Sequence, residues 1–145
     1  MRQATVRLAL VSSISLSIAF AQVPTPEQDK LLSSAAQSLA EMQFDTNAPV
    51  TIHGYVTTLV WPVGASGMLV VKTDQGEYAF STAKVPQMAK QGFTRFALHP
   101  GEQVIVTGVL ASGKGKIGPG LNAARADLIT KSDGNRVFDR SRLPQ

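Results

Sequence analysis

The 145-residue sequence has no cysteine, two histidines, one tryptophan and only a short run of uninterrupted apolar character. Without cysteine there is no disulfide and no thiolate metal site, so the fold must rest on its apolar core. A lipid anchor on an N-terminal cysteine is excluded for the same reason. The histidines, His53 and His99, form no His-x-His or His-x₃-His pair. They fall short of the three or four ligands that zinc or copper sites use, and remain weak metal candidates only if the fold adds Asp45 or Glu102. Hydrolytic chemistry is equally thin. No Gly-x-Ser-x-Gly elbow occurs, and Asp45, Asp74, Glu77, Glu102 and Asp127 are scattered rather than paired. The formal net charge is +4, half of it from Arg2 and Arg7. So small a charge is no footprint of nucleic-acid binding, and no nucleic-acid partner is expected.

The N-terminus carries an address. Arg2 and Arg7 precede an apolar segment, Leu8 to Phe20, and Ala19-Phe20-Ala21 has the small-x-small form of a cleavage site. This is the layout of a secretory signal peptide over 1–21. The alternative, a membrane anchor, is disfavoured because the run is shorter than the roughly 20 residues that span a bilayer. Ser12, Ser13, Ser15 and Ser17 also dilute it. The expectation is an exported protein, periplasmic or secreted, with no transmembrane segment after processing.

Beyond the address, residues 22–43 read as a helical extension. Thr25 suits an N-cap and Pro26 the first helical position, while Glu27 and Asp29 favour the positive end of the dipole. Leu32, Ala35, Ala36 and Leu39 recur at helical spacing, a narrow alanine-rich stripe that predicts only loose docking. Asn47-Ala48-Pro49 ends any helix and opens a β-domain over 44–138. Its strands are expected at Val50–Trp61, Met68–Thr73, Glu77–Ser81, Gln103–Leu110 and Ala123–Thr130, with a short edge segment at Arg136–Phe138. Gly54 and Gly108 interrupt long β-branched strands, which marks bulges or bends that let one strand serve two sheets. A short helix from Val85 to Gln91 falls between the third and fourth strands. Three strands, a helix and two strands is the order of a small five-stranded OB-like barrel, mainly β, and five strands are too few for a sandwich. Residues 139–145 form a basic tail.

Three separated blocks carry a resemblance. Phe44-Asp45, Pro49-Val50-Thr51-Ile52, Gly54, Val56 and Trp61 match F-D-x-x-x-P-V-T-L-x-G-x-V-x-x-V-x-W. Gly92-Phe93-Thr94-Arg95, Leu98 and Pro100-Gly101-Glu102 match G-W-T-R-x-x-L-x-P-G-D, and Asp133-Gly134-Asn135-Arg136-Val137-Phe138 matches D-G-x-x-V-F. From Phe44 to Phe138 the chain resembles a family of small exported bacterial proteins classed only as a domain of unknown function. The resemblance implies a fold and a compartment. Many members continue W-x-N-P-H and carry His-His-Ser before the domain; here Trp61 leads into Pro62-Val63-Gly64-Ala65, and Leu31 to Met42 holds no histidine. A metal site built from those residues is therefore missing from this chain.

The remaining motifs divide between ligand contact and packing. Gly108 to Lys114 fits the first seven positions of a phosphate-binding loop, but Gly115 stands where the chemistry needs Ser or Thr, and Gly115 to Gly120 cannot start a stable helix. The match is read as accidental. Lys114 and Lys116 ride the glycine-rich loop 111–120, beside a frequent ligand position of OB barrels. They would contact an anionic ligand, an acidic glycan or lipid headgroup, or simply form a solvated loop tip, the favoured reading. Tyr55, Trp61, Tyr78 and Phe80 would line an aromatic surface or pack as core. Trp61 and Tyr78 are the aromatic ligand-surface candidates. The expected contact face is β-strands two and three with loops 62–67 and 111–120. The functional expectation is a non-catalytic binding or envelope-associated module without cofactor, whose partner is an envelope ligand or protein. The alternatives are a periplasmic metal-handling protein and an enzyme with a loop-built active site.

Overall fold

The structure, a computed structural model, describes residues 26–62, 64–112, 116–118 and 120–143. The chain divides into two compact units, Met1–Lys30 and Leu31–Gln145, and the second contains all the described strands. The first described helix, α1 (Pro26–Ala40), begins at the expected proline, with Glu27 and Asp29 in its first turn. The signal segment 1–21 and the proposed cap Thr25 lie outside the described residues. No described helix is long and apolar enough to cross a membrane.

The first strand, β1 (Phe44–Val60), starts six residues earlier than the pattern suggests. Asp45 Oδ1 accepts from the Asn47 backbone N–H at 2.9 Å, and the register with the fourth strand shifts between Phe44 and Pro49. Proline, which has no N–H to give to a ladder, is tolerated at such a bulge. β2 (Ser66–Thr73) and β3 (Gly76–Lys84) follow as a hairpin, then the short helix α2 (Val85–Lys90). Next come β4 (Gln103–Ala111), β5 (Lys116–Gly118), β6 (Leu121–Lys131), β7 (Arg136–Asp139) and a 3-10 turn at Arg140–Arg142. The loop expected over 111–120 thus holds a three-residue strand, β5, paired with β6.

Gly54 and Gly108 sit at the bends. The upstream part of β1 pairs with β4 as far as Tyr55, where pairing with β2 begins. At Gly54 the two neighbours crowd in: a Cβ would strike the Lys72 carbonyl oxygen and lie 2.7 Å from Val71 Cγ1. In β4 a Cβ on Gly108 would strike the Arg125 carbonyl oxygen, and the register with β6 shifts between Thr107 and Gly108. Only a residue without a side chain lets backbones approach so closely.

Pairing runs β3-β2-β1-β4-β6, and β3 then pairs β6 in parallel over Glu77–Ser81 and Leu121–Arg125. The five long strands close into the expected OB-like ring. Its interior holds Val56, Leu69, Phe80, Val106, Ile129 and Phe138, and α2 with the following loop inserts Met88 and Phe93. A second cluster lies on the outside. Ala36 and Leu39 of α1 are fully buried there against Met68, Val70, Ala79 and Ala123. The docked stripe is narrow, as expected: Ala36 and Leu39 are buried, and Leu32 and Ala35 are only partly buried.

Candidate functional site

The outward side of β2 and β3 is not an open ligand face. Met68 and Val70 of β2 and Ala79 of β3 lie beneath α1, and all three are buried. Trp61 is half-buried, packs on the barrel core and stacks on Phe93 with centroids 5.7 Å apart and planes at 23°. Tyr78 is likewise half-buried, packs on the core and stacks on Phe80, with a remaining edge on a shallow depression between Thr51 and Asp74. Both aromatics therefore serve packing first. Lys114 lies outside the described residues. Lys116 is placed only through its backbone, which pairs with Asn122. Gly108 to Ala111 is strand rather than loop, and residues 116–118 are strand rather than helix, so the phosphate-loop match has no phosphate-loop geometry.

The histidines go to different settings. His53 is exposed in the middle of β1, opposite Ile105. His99 is exposed in the turn before β4, its Nδ1 3.0 Å from Glu102 Oε1. No group of three or more His, Asp or Glu able to hold a metal occurs among the described residues.

What the strand register does assemble is a surface on β1 and β4. Tyr55 and Gln103 face each other across the ladder, and Gln103 Nε2 donates to the Tyr55 hydroxyl at 3.0 Å. With His53, Ile105 and Ser132 they border an open depression of about 290 Å³. Tyr55 is 52 % exposed although its hydroxyl is held in place. Below it a clamp fixes the preceding turn. Val56 donates to the Glu102 carbonyl at 2.8 Å, and Gly101 donates to the Val56 carbonyl at 2.7 Å. The Glu102 carboxylate accepts from the His99 backbone N–H at 2.7 Å and reaches Lys131 Nζ at 3.3 Å. The His99 ring contact, followed by its backbone N–H, holds Glu102 below its usual pKa against partial desolvation.

A second polar assembly lies at the β3–β6 seam, where Arg140 and Arg125 share Asp127. Sequence reading passed over it, because Arg140 falls in the tail and Arg125 and Asp127 look like ordinary surface residues of a strand. The alternation along β6 does give a signal: Arg125 and Asp127 fall on one face, with Ala124 and Ala126 buried on the other. Arg140 joins them only through the fold. No protein-family model matches the chain, and no curated protein matches it.

Proposed function

We propose that this chain is an exported, non-catalytic binding module, periplasmic or secreted, whose contact surface is the outer face of β1 and β4. The observation that carries this reading is Tyr55, a large exposed aromatic whose hydroxyl is oriented by Gln103 beside an open depression. An amphipathic ring held in one orientation gives contact area at small entropic cost, as recognition surfaces use it. The β2–β3 face favoured from sequence is covered by α1, which moves the proposed contact surface around the ring. The signal-like segment 1–21 and the resemblance to exported proteins support the compartment.

The test is a thermal-shift screen of the mature protein against envelope glycans, lipids and metal ions, run beside Tyr55→Ala. A ligand at about 100 times its Kd stabilises the folded state by about 2.7 kcal/mol. The expected hit stabilises the wild type and loses most of that effect in Tyr55→Ala. A hit indifferent to Tyr55→Ala, or one that the protein hydrolyses, overturns the reading. For export, N-terminal sequencing of protein recovered from outside the cytoplasm should begin near Gln22; a sequence beginning at Met1 refutes processing.

A further inference from the structure

The parallel pairing of β3 and β6 ends at Ser81 and Arg125, and beyond it an arginine side chain completes the seam. Arg140 Nε donates to the Ala126 carbonyl at 2.9 Å, and its Nη2 donates to the carbonyls of Ser81, at 3.3 Å, and Thr82. These bonds to two strands fix the guanidinium in place. Arg125 is brought beside it through a shared carboxylate. Asp127 Oδ1 lies 3.0 Å from Arg125 Nε and 3.1 Å from Arg140 Nε. One carboxylate neutralises only one of the two.

Both arginines border an open depression of about 250 Å³, together with exposed Lys84. Gln87 and Ser66 add polar wall, Phe44 adds apolar wall, and no Asp or Glu is among the described residues that border it. Three cations against one carboxylate leave an excess of two positive charges at one opening. Burial, and next the nearby charge of Arg125, push the Arg140 pKa down, a strain that an anion in the depression would relieve.

We propose that this depression binds a phosphoryl group, carried either by a free phosphate or by the headgroup of an anionic lipid. A phosphate monoester carries a charge of about −1.5 to −2 at neutral pH, which matches the excess better than a single carboxylate does. Arg140, whose Nε and Nη2 are taken up by the seam, offers its Nη1 amino group to such an oxyanion, and being already fixed it loses little freedom on binding. The site is separate from the β1–β4 surface and does not depend on it.

Inorganic phosphate, titrated calorimetrically against chloride at matched ionic strength, tests the first source. Sedimentation with phosphatidylcholine vesicles, with and without phosphatidic acid, whose headgroup is a phosphate monoester, tests the second. Arg125→Gln and Lys84→Gln are the informative variants, since removing Arg140 would open the seam itself. Binding in at least one arm is expected, weakened about tenfold by Arg125→Gln, the loss of one charge-assisted contact. A smaller weakening is expected for Lys84→Gln, and none for Tyr55→Ala. Binding to phosphate alone assigns a soluble oxyanion; binding to anionic vesicles alone, lost in Arg125→Gln, assigns a headgroup. Circular dichroism checks the fold of each variant, and if Arg125→Gln fails to fold, the exposed Lys84→Gln decides. No binding in either arm, or binding unchanged in the folded variants, overturns the proposal.

Discussion

At Gly54 the backbone of β1 passes so close to β2 that a single methyl group has no room, and this sets the tolerance of the bend. Gly54→Ala would push a Cβ into the Lys72 carbonyl and Val71. Overpacking of this kind costs about 1–3 kcal/mol. Urea unfolding should show the midpoint falling accordingly, and an unchanged midpoint would mean that β1 bends elsewhere. Glu102 is the second residue with a measurable signature. Its folded pKa lies below the ordinary 4.5, so the unfolded state binds more protons at acid pH. Its contribution is therefore complete above the unfolded value and is lost as pH falls through the folded one. The carboxylate is 29 % exposed, and partly exposed pairs of this kind contribute about 0.2–1 kcal/mol. Glu102→Gln should lower stability by that amount at pH 7 and reduce the loss on acidification toward pH 3; an unchanged acid slope would exclude the role.

Among the elements, α1 carries the clearest energetic claim. Leu39 is fully buried in the outer cluster, whereas Leu31 on the same helix is 71 % exposed. Leu39→Ala should cost about 2–5 kcal/mol by lost burial and the cavity left behind. Leu31→Ala should stay within about 0.5 kcal/mol, as surface substitutions do. Equal effects in chemical unfolding would show that α1 does not hold the β2–β3 face. The helix stripe was legible from Leu32, Ala35, Ala36 and Leu39. Which strands it covers was not, because an apolar stripe does not encode its partner across the chain. The early start of β1 was hidden by Pro49, a residue that argues against a strand until the bulge beside it is known.

For the whole molecule, closure depends on the β3–β6 seam, and Arg140 extends that seam where the ladder stops. Arg140→Ala would remove its bonds to the carbonyls of Ser81, Thr82 and Ala126 and leave Asp127 with Arg125 alone. The expected cost is about 2–4 kcal/mol, from the loss of several charge-assisted bonds that join two strands. Arg140→Lys should not restore it, since one ammonium cannot reproduce the guanidinium fork across two strands. Denaturant melts of both variants check this, and a full rescue by lysine would reduce the residue to a point charge.

The sequence by itself determined the five long strands, the helix between the third and fourth of them, and the two glycines at which strands bend. Those features follow from local chemistry: β-branched runs, turn residues, and the cost of a side chain at a bend. The pairing of β3 with β6, the face that α1 covers, the Tyr55–Gln103 contact and the union of Arg125 with Arg140 were decided only by tertiary structure. Each joins residues far apart in the chain, and no local propensity encodes which of several equally apolar or equally charged partners will meet. Ring closure makes that choice, because it alone sets the register that places them side by side.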